Sequence, residues 1–260
     1  MAYKTVDFAK FSSIKIGPKA EVFLIEDEQY PKDHALIGMA NNLLLSPEHP
    51  PLMMLSKKFD ALHVKEKRLY IGAATPSGKI VSFCKKHDIA GFEFLSRLPG
   101  TLGGMLKMNA GLKEWEIFND LIAIRTKTGW IEKEALQYGY RFTNIDDVVF
   151  EAVFTCKRGF STERLEFFKQ MRSNQPHNPS AGSAFKNPEG DYAGRLIEAV
   201  GLKGKRIGDM AWSEVHANFL VNLGGGSYED AIALIELAEK QVKAAFDISL
   251  QREIIVIRTL

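Results

Sequence analysis

The segment Arg97 to Gly111, RLPGTLGGMLKMNAG, sets Gly100, Gly103 and Gly104 close together ahead of a short amphipathic helix. Glycine permits backbone conformations and close approaches that other residues forbid, so such a turn can bring N–H groups against a ligand. The familiar phosphate loops do not fit. Between Gly72 and Lys79 the glycines stand one residue too far apart for a P-loop, and Ile80 follows the lysine where Ser or Thr is needed. No GxGxxG follows a strand to open a helix, which excludes a dinucleotide site of the Rossmann type. Metal chemistry lacks ligands: Cys84 and Cys156 are far apart, no CxxC occurs, and none of His34, His49, His63, His87, His177 and His216 has a second histidine at i+4.

The chain of 260 residues is long enough for one or two domains with a large core, which excludes a disulfide-stapled miniprotein. A hydrophobic content of 45% with 25% charged residues excludes global disorder and low-complexity architectures. The net charge of +2 is too small to call for a nucleic-acid or membrane-surface partner, so any bound anion must be held locally. The N-terminus lacks the apolar stretch of a signal peptide, and no apolar run approaches the ~18 residues of a membrane helix. A cytoplasmic, reducing location and a monomer are expected.

The first 75 or so positions read as short strands: Ile14 and Ile16 alternating with polar neighbours, then 21–25, 35–37, 52–55 and 68–73. The first clear helix opens at Pro76, carries Ile80, Val81, Phe83 and Cys84 at helical spacing, and stops before Gly91. Residues 121–126 and those from Trp130 form a hairpin closed at Lys127-Thr128-Gly129, and Phe150, Ala152, Phe154 and Cys156 share one face of a strand. A helix is expected from Thr162 to Arg172, with a domain boundary near Ser161. Beyond it come a helix from Tyr192 to Val200 stopped by Gly201, a strand 218–222, a long helix capped by Ser227, and a terminal strand 253–258. The buried face of the long helix is read as Ile232, Ile235, Leu237, Ala238, Val242 and Phe246.

Six segments, FSSIKIGPKAEVFLI, GMANNLLLSP, RLPGTLGGMLKMNAG, YGYRFTN, RSNQPHNPSAGSAFKNPEGDYAGRLIEAVGLKG, and HANFLVN with the terminal LQREI, together resemble the UDP-N-acetylenolpyruvoylglucosamine reductases, the MurB-type FAD enzymes of peptidoglycan synthesis. The resemblance runs from about Phe11 to Ile257 in the family's order. It implies an α+β chain: a two-lobed FAD-binding unit (lobes 1–56 and 57–160), then a smaller α+β substrate domain (161–260) whose last strand can return to the FAD unit. It implies FAD as cofactor, NADPH as hydride donor, and a UDP-sugar substrate whose enolpyruvyl group is reduced to give UDP-N-acetylmuramate. The short interval between Arg141 and Arg172 implies the form without a lid, with closure coming from the C-terminal domain or from Tyr192.

Two diphosphates, of FAD and of the UDP-sugar, then need oriented N–H groups, and Gly38, Asn41, Asn42, Gly100, Thr101, Gly103, Gly104 and Asn109 match the cofactor-binding positions. Hydride addition to the methylene carbon leaves negative charge on its neighbour, which must be stabilised and protonated. The resemblance gives Arg141 to the enolate, Ser183 to proton delivery and Glu253 to assistance, with Arg172, Gln175, Asn187, Tyr192 and His216 as substrate contacts. Singly, each has a plainer reading: a surface ion pair for Arg141, a turn hydroxyl for Ser183, a solvated terminal carboxylate for Glu253, a core Tyr192, a strand-edge His216. The family's GxGSN is here Gly38-Met39-Ala40-Asn41-Asn42, its serine after Tyr-Arg-x is Thr143, and its basic residue near the terminal glutamate is Ile255. Two rivals stand beside this reading. PSAGSAFKNP argues against another FAD oxidase or dehydrogenase on the same unit, and joint retention of Arg141, Ser183 and Glu253 argues against a non-catalytic UDP-sugar-binding protein.

Overall fold

A computed structural model describes residues 2–171 and 174–259 and divides the chain into two units. The first comprises residues 1–3, 23–39 and 53–173, the second 4–22, 40–52 and 174–260. The chain passes from one to the other inside the strands Ala2–Asp7, Lys19–Ile25 and Leu52–Leu55. Among the described residues six α-helices are formed: α1 (Phe8–Phe11), α2 (Ser77–Lys86), α3 (Leu102–Lys107), α4 (Thr162–Met171), α5 (Ala193–Ala199) and α6 (Tyr228–Phe246).

The first unit is built on an antiparallel sheet in the order Gly129–Glu132, Leu121–Thr126, Glu151–Thr155, Arg68–Gly72, Leu62–Lys65. The hairpin expected at Lys127-Thr128-Gly129 is present, with Thr126 paired to Gly129. Phe150, Ala152 and Phe154 are fully buried as their alternation requires, whereas Cys156 lies beyond the strand end and is half-buried. Each fully buried Phe contributes roughly 1.5–3 kcal/mol of apolar transfer free energy. Helix α2 begins one residue after Pro76, which serves as its cap, and buries Ile80, Val81 and Cys84.

The second unit carries an antiparallel sheet in the order Ser180–Ser183, Phe219–Asn222, Met210–Trp212, Arg206–Ile207. Helix α6 packs Ala231, Leu234, Ile235, Ala238 and Val242 into the core that contains Trp212. Its Ser227 side chain accepts the Asp230 N–H, the cap that the sequence announces. Ile232 and Leu237 are only half-buried, and Phe246, on the last turn, is exposed beneath the Arg195 guanidinium.

The division differs from the three-part reading of the sequence for two reasons. Helix α4 packs Phe168 against the core of the first unit, so the boundary falls after the helix instead of at Ser161. Residues 40–52 group with the C-terminal part because Leu43–Leu45 pairs in parallel with Ile255–Ile257, and Ile14, Ile16 and Leu44 are buried in that same core. Ile14 and Ile16 are not in a strand: Lys15 has φ of +59°, and the Ser12 hydroxyl donates to the Ile16 carbonyl at 3.1 Å. Alternation there reflects a turn that buries two side chains. From Phe142 to Met171 the chain forms short strands and α4, and no inserted lid occurs among these described residues.

Candidate active site

In the first unit the two glycine segments meet. A Cβ added to Gly38 would lie 3.4 Å from Thr101 Oγ1, and Gly100 holds φ of +138°, open to glycine alone. The amides of Leu102 and Gly103 are already bonded, to Thr75 and Ala73 carbonyls at 3.0 and 2.9 Å, and a Cβ on Gly103 would stand 3.3 Å from that Ala73 oxygen. Gly103 is therefore a packing residue for α3. Gly104 is exposed, with nothing within 4 Å of an added Cβ. Just upstream, Ser96 Oγ and Arg97 Nε are buried and lack a partner among the described residues. A diphosphate needs open backbone approach and a positive donor, and Gly38, Thr101, Gly104 and Arg97 fit that need. Arg97 opens the RLPGTLGG segment but is not among the expected site residues, because the burial of an arginine Nε is not visible in a sequence.

Asn109 is placed otherwise than a ligand contact. It is fully buried with φ of +43°, its Nδ2 donates to Glu116 Oε2 (2.7 Å) and the Gly139 carbonyl (3.1 Å), and its Oδ1 accepts the Phe118 N–H (3.4 Å). Arg141 sits in the turn between Gly139 and Phe142 with φ of +53°, a conformation that costs a non-glycine residue about 1–2 kcal/mol. Its Nη1 and Nη2 donate to the carbonyls of Asn109 (3.4 Å) and Gly111 (2.9 Å), and it stacks on Tyr140. Backbone carbonyls therefore take part in holding this guanidinium. Thr143 is buried and its hydroxyl donates to the Lys107 carbonyl at 2.8 Å, anchoring the same hairpin.

In the second unit the backbone brings Ser183 and Glu253 together. Ser183 pairs with Phe219, the N–H groups of Glu253 and Ile254 both donate to the next carbonyl, that of Ala184 (2.8 and 3.2 Å), and Phe185 bridges Arg252. Asn218 is buried beside them and exchanges both of its amide functions with the Phe185 backbone, accepting at 3.0 Å and donating at 2.7 Å. Asn42 joins the cluster by donating to the Glu253 carbonyl at 2.8 Å and accepting the Ile255 N–H at 3.0 Å. Asn41 accepts from the Ser13 hydroxyl at 2.5 Å. Both asparagines therefore spend side-chain bonds on the fold. Ala40, standing where the family has glycine, keeps φ of +51°. Arg252 is held by a two-pronged ion pair with Glu239 at 2.6 and 2.7 Å, not by the terminal strand.

The remaining expected contacts are spread over the second unit. Asn187 accepts the Ala193 N–H at 3.1 Å and so caps α5. Tyr192 precedes that helix and is 68% exposed, so it is not a core residue. His216 is half-buried, its Nδ1 accepting the Asn218 N–H at 3.3 Å, and burial pushes its pKa below the usual value. Gly194 lies 3.2 Å, by its missing Cβ, from that imidazole. Gln175 is half-buried, and Arg172 lies outside the described residues. No group of three His, Cys, Asp or Glu side chains that could hold a metal occurs among the described residues, and none of their helices is long and apolar enough to cross a membrane.

Residues 175–257 match the UDP-N-acetylenolpyruvoylglucosamine reductase C-terminal domain family. The chain is 46% identical over 258 residues to the UDP-N-acetylenolpyruvoylglucosamine reductase of Helicobacter hepaticus, spanning 97% of this chain and 98% of that one. It is 48% identical to that of Campylobacter jejuni strain RM1221 over 257 residues, 97% and 99% of the two chains. The chain belongs to this reductase family. The crystal structure of the Thermus caldophilus UDP-N-acetylenolpyruvylglucosamine reductase superposes with a TM-score of 0.87 at 29% identity, covering 99% of both chains. The α+β reading holds, and the reductase family's motifs fall on both units.

Proposed function

We propose that this protein reduces the enolpyruvyl group of UDP-N-acetylglucosamine enolpyruvate to UDP-N-acetylmuramate with NADPH and FAD, in peptidoglycan precursor synthesis. The observation that carries the reading is the full-length similarity to the reductases, with Arg141, Ser183 and Glu253 retained. FAD, when bound, would supply the two-electron hydride chemistry that links NADPH to the enolpyruvyl group.

The chain's own residues do the rest. Gly38, Thr101, Gly104 and Arg97 hold the cofactor's diphosphate in the first unit, which takes the FAD-binding role, while the C-terminal unit takes the substrate role. Gly100 shapes the loop, and Gly103 and Asn109 support it from behind. Arg141 faces the carboxylate and enolate of the substrate, where a positive fork lowers the energy of the developing charge. Ser183 gives its proton to the carbon next to the carboxylate, forming the C–H bond, and Glu253 stabilises the exchange or restores the hydroxyl's proton. Asn41 and Asn42 act by shaping their loop. Gln175, Asn187, Tyr192, His216 and Arg172 are assigned to the UDP-sugar, with the exposed Tyr192 closing over it. The chain works as a cytoplasmic monomer and needs neither membrane nor nucleic acid.

The test is a visible spectrum. The purified protein is expected to be yellow, with FAD released by acid precipitation. NADPH should bleach it, and the enolpyruvyl UDP-sugar, but not UDP-N-acetylglucosamine, should restore the colour without oxygen. A colourless protein that cannot be reconstituted with FAD would overturn the reading.

A further inference from the structure

We infer that Glu116 is a positioning residue for Arg141, acting through Asn109 and Gly111. The inference rests on the assignment of Arg141 to the substrate's enolate. The carbonyls of Asn109 and Gly111, which receive the Arg141 guanidinium, belong to residues that Glu116 holds. Its carboxylate takes the Asn109 Nδ2 at 2.7 Å, and its backbone is the antiparallel partner of Gly111. The approach at Gly111 is so close that an added Cβ would collide with the Trp115 carbonyl oxygen and lie 2.8 Å from Glu116 Cγ.

The same Asn109 nitrogen also donates to the Gly139 carbonyl, at the foot of the turn that carries Arg141. One buried carboxamide thus ties Glu116 to the turn, while Arg141 ties the turn back to the chain on either side of Ala110. Both Asn109 and Arg141 adopt left-handed backbone conformations, uncommon for residues other than glycine, so the two partners are strained at the point where they meet. The turn itself buries little, since Tyr138, Tyr140 and Phe142 are exposed, and the hairpin is tied down at its base by the buried Thr143 and by the bonds between Gln137 and Asn144. An ionised acceptor for the Asn109 amide is stronger than a neutral one, and it accepts only, so it fixes which way the carboxamide faces.

Glu116→Gln keeps the size but loses the charge and the acceptor-only character. In stopped-flow absorbance on the FAD-loaded protein, bleaching by NADPH is expected within about two-fold of the parent rate. Recovery with the enolpyruvyl UDP-sugar is expected to slow by about ten- to a hundred-fold, as for a misplaced catalytic group. Backbone amides of residues 138–143 should exchange with deuterium several-fold faster in the variant without substrate. Equal slowing of both half-reactions, or unchanged recovery, overturns the inference. Arg141→Lys separates the two claims: unchanged recovery there would sink the role of Arg141 itself, whereas slow recovery in Arg141→Lys beside normal recovery in Glu116→Gln would sink only the positioning role. Should Glu116→Gln fail to hold FAD, Glu116→Asp decides, with the same split expected at smaller size. Loss of FAD from both variants would make Glu116 a structural residue and contradict the inference.

Discussion

The candidate residues of the two units are fixed by different means. Arg141 stands on a two-residue turn and is aimed by side chains that reach for backbone, its own guanidinium onto Asn109 and Gly111 and Asn109 onto Gly139. Ser183 and Glu253 are fixed by main-chain pairing, through the Phe219 partner of one and the Ala184 carbonyl beside the other. A side-chain network can be removed one atom at a time and leaves the fold standing. Main-chain pairing fails only when the strands separate, so it ties the site to stability.

A backbone collision would break the first arrangement outright. Gly111→Ala forces a methyl group into the Trp115 carbonyl, and overpacking against backbone costs roughly 1–3 kcal/mol or more, so FAD content and thermal midpoint should both fall. A variant with the parent's midpoint would show that the pairing of Gly111 with Glu116 is looser than described. In the second unit, Asn218→Ala strips two hydrogen bonds from the buried Phe185 backbone and should cost about 2–4 kcal/mol in urea unfolding. Parent-like stability would mean that the Ser183 region does not depend on that clasp.

Gly104→Ala sharpens the comparison from the cofactor side. Its methyl meets no protein atom within 4 Å and sits in a helix, so stability should hold or rise by up to ~1 kcal/mol, while FAD affinity in fluorescence titration should weaken about ten-fold if, as proposed, the diphosphate approaches through that open space. Unchanged affinity would move the cofactor away from Gly104. The smallest effect concerns His216, whose folded-state pKa lies below its unfolded value because burial disfavours the charged ring. Below the unfolded value near 6.5 the unfolded chain binds the extra proton, so this contribution is present above that pH and is lost as pH falls through it toward the folded pKa. The thermal midpoint should therefore drop more steeply with acidification in the parent than in His216→Gln, and equal slopes would contradict it.

Much of this was legible in the chain. Periodicity located α2, α4 and α6, the Lys127-Thr128-Gly129 hairpin and the buried face of residues 150–154, because each rests on local spacing and local turn chemistry. Leu43–Leu45 was not legible as a strand, since three successive leucines show no alternation and their parallel partner, Ile255–Ile257, lies at the far end of the chain. Ile14 and Ile16 misled for the opposite reason, as a turn can bury two residues at a spacing of two. The family motifs mark segments but not which way each amide faces. Asn41, Asn42 and Asn109 have the residue type for binding a ligand, yet their side chains bond to protein groups, and sequence cannot distinguish the two uses. Arg97 shows the reverse: it opens the RLPGTLGG segment, yet sequence does not show that its Nε is buried without a partner among the described residues.

The central claim is that the residues act in separate half-reactions, and Ser183→Ala tests it most directly. NADPH oxidation needs no proton for the sugar-derived carbon, so stopped-flow bleaching of the flavin should proceed near the parent rate. Recovery with the enolpyruvyl UDP-sugar should slow by ~10²- to 10⁴-fold, the usual loss for a positioned acid. Glu253→Gln should show the same split less steeply. If Ser183→Ala slowed both halves equally, or neither, its hydroxyl would be a strand-end contact and the proton would have to come from another group, with Glu253 the first to examine.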